Sequence, residues 1–147
     1  MANLYLAYGS NLNLKQMEMR CPTAKVVGST TLEGYELSFR GVNGGAYATI
    51  KANPDKETPV LIWELDDIAE TRLDNYEGFP TFYKKAYFRI ELNGRWTRAM
   101  AYIMKKGVPK GVPERHYYEG IFEGYRAAGF NQEILDEAVR VSDLEPE

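Results

Sequence analysis

The pair Asn93-Gly94 stands between two runs that alternate in the manner of strands. In Tyr83–Leu92, Ala86, Phe88, Ile90 and Leu92 share one face, and Lys85, Arg89 and Glu91 share the other. Arg95–Met104 is the return strand. Asn-Gly is the dipeptide that a two-residue hairpin turn favours, so this segment predicts two antiparallel strands. A hairpin alone is marginal in water, and the remaining chain must cover it.

Further elements follow from the same kind of pattern. Asn3-Leu-Tyr-Leu-Ala-Tyr8 reads as a buried strand stopped by the turn formers Gly9-Ser10-Asn11. Leu14–Arg20 reads as a short helix closed before Pro22, because the residue preceding proline disfavours helix. Tyr35, Leu37 and Phe39 alternate with Glu36 and Ser38, and Ala46–Ile50 and Val60–Leu65 are two more strands. Asp67–Tyr76 reads as a helix with Asp67 as N-cap, Glu70 completing a variant capping box and Gly78 beyond the end. Pro113 opens a helix with the face Tyr117, Ile121, Tyr125 and Ala128, ended by Gly129. Asn131 caps a last helix lined by Ile134, Leu135, Ala138 and Val141. Six or seven short strands and four helices predict an α+β protein. Its preferred form is a small, mostly antiparallel β-barrel, closed or nearly closed, with flanking helices.

The chain is 147 residues long, the size of one domain, so 1–147 is read as a single unit. Eighteen basic against 21 acidic residues give a net charge of −3. Residues 131–147 hold six of those acids and one arginine, which leaves the body at +2 (17 basic, 15 acidic). Such a balance argues against a dominant grip on nucleic acid or anionic lipid. One cysteine, Cys21, excludes an internal disulfide, and one histidine, His116, excludes a multi-histidine metal site. There is no basic leader and no apolar run long enough to span a bilayer. The expectation is a reduced, cytosolic protein that needs neither metal nor cofactor.

The usual catalytic signatures are missing, with no Walker loop, G-x-S-x-G elbow or C-x-x-C. Nothing in the sequence brings Ser10 to His116, and Cys21 beside Pro22 reads as a small buried hydrophobe. Two places remain. In Tyr8-Gly9-Ser10-Asn11-Leu12, at a strand-to-helix joint, Gly9 permits unusual dihedrals and lets a ligand approach the main chain, whose N–H groups could receive an anion or oxyanion. The same residues also read as a plain tight turn with Ser10 or Asn11 as helix cap. In Leu73-Asp74-Asn75-Tyr76-Glu77-Gly78, a carboxylate sits at the unfavourable end of a helix dipole among Tyr76, Phe79, Phe82 and Tyr83. Walled in by those rings, Glu77 would have a raised pKa, suited to proton transfer near neutrality. It also reads as a solvated glutamate at a loop edge.

Taken in order, these segments resemble the γ-glutamylcyclotransferase-like proteins, the group that includes the plant AIG2-like proteins and the cyclotransferase of the butirosin pathway. The resemblance rests on Tyr8-Gly-Ser-Asn-Leu12, Arg20-Cys-Pro22, the Ala48-Thr49-Ile50 strand, Leu73-Asp-x-x-Glu77-Gly78 with Tyr83, Tyr102 in Ala99–Met104, and the Pro113 helix. It covers roughly residues 4–130 and omits the final helix and acidic tail. It implies a small barrel with a cavity at one end and a γ-glutamyl small molecule as substrate. The α-amino group of that substrate would attack its own γ-carbonyl, forming 5-oxoproline and releasing an amine or amino acid. Glu77 would be the acid/base, the loop from Tyr8 to Leu12 would hold the glutamyl group, and Tyr83 and Tyr102 would line the pocket. The competing reading is a non-catalytic module binding a small ligand on the same fold. A phosphate-binding enzyme is a third, and the Gly9 loop lacks the lysine it would need.

Overall fold

The computed structural model describes residues 3–143, so Leu144–Glu147 of the acidic tail lie outside the described residues. Five strands form one mixed sheet: β1 (Asn3–Ala7), β2 (Lys25–Arg40), β3 (Tyr47–Leu65), β4 (Tyr83–Leu92) and β5 (Arg95–Met104). The spatial order is β2-β3-β1-β5-β4. Every pairing is antiparallel except β1 with β5, which run parallel at Tyr5 and Met100. The predicted hairpin is present, with Leu92 opposite Arg95 and Asn93 and Gly94 at φ of 53° and 79°. Both values are left-handed, as the tight turn demands.

Among the described residues the expected count of six or seven short strands is corrected to five, because β2 and β3 are each long. The segments Lys25–Gly34 and Lys51–Pro59 carry little hydrophobic alternation, and Asn53-Pro54-Asp55 looks like a turn. In the fold they continue the two strands past a register break, where Glu33 faces Glu57 but Tyr35 faces Ala52. Pro54 falls in the extra stretch of β3 and so removes no ladder hydrogen bond. The ladder does not close into a barrel. The sheet curls until its edge strands meet through side chains, Tyr35 of β2 packing edge-on against Phe88 of β4 at 5.2 Å. Gly28 of β2 lies against Leu92, and a Cβ there would come within 3.1 Å of Leu92 Cδ1.

Four helices flank the sheet: α1 (Leu14–Arg20), α2 (Asp67–Glu77), α3 (Arg115–Ala128) and α4 (Gln132–Ser142). The cap of α2 is Asp66 rather than Asp67, with Asp66 Oδ1 accepting from the Ala69 N–H at 2.8 Å. Its C-terminal turn ends as expected on Gly78 at φ 68°, while the helix itself runs through Glu77. Glu114, not Pro113, caps α3, and Asn131 caps α4. Leu6, Phe39, Ile50, Ile62 and Leu65 from the sheet join Met17, Leu73, Ile121, Tyr125 and Leu135 from the helices in one buried core. None of the described helices is long and apolar enough to cross a membrane.

The joint after β1 is a single 3-10 turn, Ser10–Leu12. It is held tightly by α3. At Gly124 a Cβ would lie 2.6 Å from Leu12 Cβ, so only glycine lets the helix pack this close. Asn13 both caps α1 and donates to the Gly120 carbonyl at 3.1 Å. The loop is thus fixed from below before any ligand arrives.

Candidate active site

A cavity of about 350 Å³ opens at one end of the sheet, bounded by the Tyr8–Asn11 loop, the last turn of α2, and residues of β3, β4, β5 and α3. Tyrosine is the commonest residue in its walls: Tyr5, Tyr8, Tyr83, Tyr102 and Tyr117 line it, with Tyr47 and Tyr76 at half-exposed positions. Glu77 is the carboxylate in that lining. Burial among the rings pushes its pKa up to about 7, against the opposing pull of Arg20. The solvated-glutamate reading is set aside, and the two segments nominated from sequence face each other across one cavity.

The surrounding hydroxyls are engaged in ways that the local sequence does not reveal. The Tyr8 hydroxyl donates to the Tyr102 carbonyl. Tyr83 donates to the Ala48 carbonyl at 2.6 Å, and the Ala48 N–H donates to the Tyr117 hydroxyl at 2.9 Å. Burial holds the phenols of Tyr5, Tyr8, Tyr83 and Tyr117 well above the ordinary tyrosine range, and the charge of Glu77 adds to it. They remain neutral donors and acceptors. Because Tyr117 accepts from Ala48, its own proton is left for the cavity.

Of the residues expected in the site, Tyr8, Gly9, Ser10, Asn11, Glu77, Tyr83 and Tyr102 all line the cavity. Leu12 does not. It is fully buried beneath α3, where it anchors the loop. Gly9 has φ −124°, so it is not needed for a left-handed backbone. It is needed for clearance, since a Cβ there would come within 3.1 Å of Ala48 Cβ and 3.6 Å of the Tyr117 hydroxyl. Tyr102 presents its ring to the cavity, but its hydroxyl is tied to Asp74 at 2.5 Å. Ser10 Oγ accepts from Arg20 at 3.2 Å, whereas the His116 side chain is 88% exposed and faces Glu119. Among the described residues Ser10 and His116 are not paired. Cys21 is buried, its thiol raised by desolvation and directed at the Ala69 carbonyl.

Sequence reasoning missed Tyr5, Tyr47 and Tyr117 as lining residues, and Arg20 and Trp63 as supports of the loop. Trp63 Nε1 donates to the Asn11 carbonyl at 3.1 Å. The surplus of tyrosine, 11 against 6 phenylalanines, was the available signal. A tyrosine can pack its ring into the core and keep a polar tip for a cavity.

The chain belongs to the gamma-glutamyl cyclotransferase, AIG2-like family, whose model matches residues 5–122. Among characterised proteins it is similar to the gamma-glutamylcyclotransferase of Mus musculus, 28% identical over 155 aligned positions that cover 97% of this chain and 79% of that protein. The Homo sapiens gamma-glutamylcyclotransferase is 32% identical over 82 residues, 51% of this chain and 44% of its own. A solved gamma-glutamyl cyclotransferase superposes with a TM-score of 0.82 at 24% identity, covering all of this chain and 90% of that one. A yeast gamma-glutamyl cyclotransferase specific to glutathione superposes at 0.64 with 10% identity, covering 97% and 96%. At these identities the structural likeness establishes the shared fold.

Proposed function

We propose that this protein is a γ-glutamylcyclotransferase that cyclises a γ-glutamyl amine or peptide to 5-oxoproline and releases the amine or amino acid. The observation that carries this reading is Glu77, a carboxylate with pKa about 7 in a tyrosine-walled cavity opposite the Gly9 loop. Near neutral pH such a group both accepts and returns a proton. A plain receptor for a glutamyl carboxylate gains nothing from a second carboxylate beside it.

The reaction asks little of the protein because the substrate carries its own nucleophile. Glu77 takes a proton from the α-ammonium, and the freed amine attacks the γ-carbonyl carbon to close a five-membered ring. Protonated Glu77 then delivers its proton to the amide nitrogen as the carbon–nitrogen bond breaks. The extra proton left on the ring nitrogen passes to the departing amine, so the products are the neutral lactam and an ammonium ion. The N–H groups of Ser10 and Asn11 take no part in closing the 3-10 turn, whose bonds run from Leu12 to Gly9 and from Asn13 to Ser10. In this reading they meet the glutamyl group, and the Tyr117 hydroxyl supplies a further donor. Folding the substrate into an attack geometry in this enclosed space accounts for much of the barrier lowering.

The test is incubation with a panel of γ-glutamyl amines, γ-glutamyl amino acids and γ-glutamyl peptides, with 5-oxoproline detected by mass spectrometry. Production from at least one class supports the reading. Tight binding of panel members without any 5-oxoproline would instead establish the non-catalytic module.

A further inference from the structure

The Arg20-Cys21-Pro22 triplet has no part in the aminolysis above, yet Arg20 reaches from the end of α1 to the edge of the cavity. We propose that Arg20 is a positioning residue whose guanidinium locks the Asn11 side-chain amide with its nitrogen toward Glu77, joining loop and base into one unit. Its catalytic consequence rests on the cyclotransferase reading; its geometry does not.

Asn11 is buried, and its amide has two chemically opposite ends. Oδ1 accepts from Arg20 Nη1 at 2.6 Å. Nδ2 donates to the Tyr5 hydroxyl at 2.9 Å and lies 3.5 Å from Glu77 Oε1. A guanidinium has donors and no acceptor. Were the amide turned over, its NH2 would face the Arg20 N–H groups and its oxygen would face the Glu77 carboxylate. Both contacts are repulsive, so the cation dictates which end of Asn11 the cavity sees.

The fork of Arg20 does more than hold one oxygen. Nη1 also reaches Ser10 Oγ at 3.2 Å, and Nη2 donates to Gln16 Oε1 at 2.9 Å. The guanidinium carbon sits 4.0 Å from the centre of the Tyr76 ring, the residue before Glu77. One planar group therefore spans α1, the loop and the last turn of α2, which a lysine cannot reproduce. The Arg20 backbone is held as well, its carbonyl accepting from Arg72 Nε at 2.7 Å. The other titratable groups lining the cavity with Glu77 are phenols: Tyr5 and Tyr8 from the β1 end, Tyr47 from β3, Tyr83 from β4, Tyr102 from β5, Tyr117 from α3 and Tyr76 on α2 itself. Arg20 supplies the positive charge that favours ionised Glu77.

The experiment titrates the Glu77 carboxyl by carbon-13 NMR in wild type, Arg20→Gln and Arg20→Lys, and measures kcat and KM for a γ-glutamyl substrate across pH. Arg20→Gln should raise the Glu77 midpoint by about one unit and lower kcat about tenfold or more. Arg20→Lys should restore the midpoint, since the charge returns, but not kcat, since the fork does not. Combining Arg20→Gln with Asn11→Ala should lower kcat no further than the worse single change, as expected for two residues acting through one interaction. An unmoved midpoint in Arg20→Gln, full recovery of kcat by lysine, or additive losses would each overturn the proposal. Should wild type form no 5-oxoproline from any panel member, the cyclotransferase reading falls, while the NMR midpoints still decide whether the Arg20 charge acts on Glu77.

Discussion

The Tyr102 hydroxyl donates to Asp74 Oδ1 at 2.5 Å, tying β5 to the helix that ends in Glu77. Lys85 of β4 completes the attachment, 3.0 Å from Asp74 and 2.7 Å from Glu70, with Phe79 stacked over its ammonium group. Asp74 lies one helical turn before Glu77, so this cluster sets how far the Glu77 carboxylate projects into the cavity.

Tyr102→Phe should therefore act through Asp74 rather than through lost contact with substrate. Removing a hydrogen bond to a charged acceptor costs about 1–3 kcal/mol of stability, read by urea unfolding. Lys85 keeps Asp74 paired, so the fold should survive. We expect kcat to fall more than KM rises. A change in KM alone, with unaltered stability, would return the hydroxyl to the substrate.

Glu77→Gln keeps the shape of the base and removes its proton chemistry. Turnover should fall roughly 10²–10⁴-fold, the usual contribution of a positioned proton transfer. Substrate affinity should persist, so the variant should trap unreacted substrate visible by calorimetry. Wild-type turnover in this variant, with contamination excluded, would remove Glu77 from the mechanism.

The same residue makes stability depend on pH. Its folded pKa of about 7 lies above the ordinary 4.5, so the folded state binds the extra proton in that window. Its stabilising contribution is thus fully present below about pH 4.5 and is lost as pH rises through 7. Glu77→Gln should be more stable than wild type at pH 8, by roughly 1–3 kcal/mol after screening, and no more stable at pH 4.5. Activity should run the opposite way, because Glu77 must be ionised to act as the proposed base. In wild type kcat/KM should rise with pH and reach half its plateau near 7. A half-point near 4.5 would mean that the cavity does not desolvate Glu77.

Gly9→Ala should clash with Ala48, where the added methyl would sit 3.1 Å from the neighbouring Cβ. Overpacking of this kind costs about 1–3 kcal/mol. The second change Ala48→Gly opens the space and should restore most of the thermal stability. Turnover should recover with it if clearance is the whole role of Gly9. Stability recovered without turnover would show that Gly9 also admits the ligand to the main chain.

Much of this architecture was readable from short-range pattern. The Asn93-Gly94 hairpin, the Gly78 and Gly129 helix ends and the Asn131 cap are all decided by residues within a few positions of each other. Turn dihedrals and capping bonds close over such distances, so local chemistry suffices. The Tyr8–Asn11 loop and Glu77 could also be nominated, because a glycine-containing strand end and a carboxylate at a helix C-terminus are local oddities. The strand count failed where β2 and β3 run on through Gly34 and Pro54. Those residues signal a break, and only pairing with the partner strand overrides them.

What the site does with its residues was decided elsewhere. A tyrosine can send its hydroxyl to a ligand, a carbonyl or a carboxylate, and nothing in its neighbours along the chain selects among these. Tyr8 meets the Tyr102 carbonyl across 94 positions, and Tyr117 meets the Ala48 N–H across 69. Which end of Asn11 faces Glu77 depends likewise on Arg20, brought back by the turn of α1. Local propensity determines which segments become strands and helices and where they stop. Partners so far apart in the chain are chosen only when the sheet takes its order and curl, because burial rewards the register in which most polar tips find a partner.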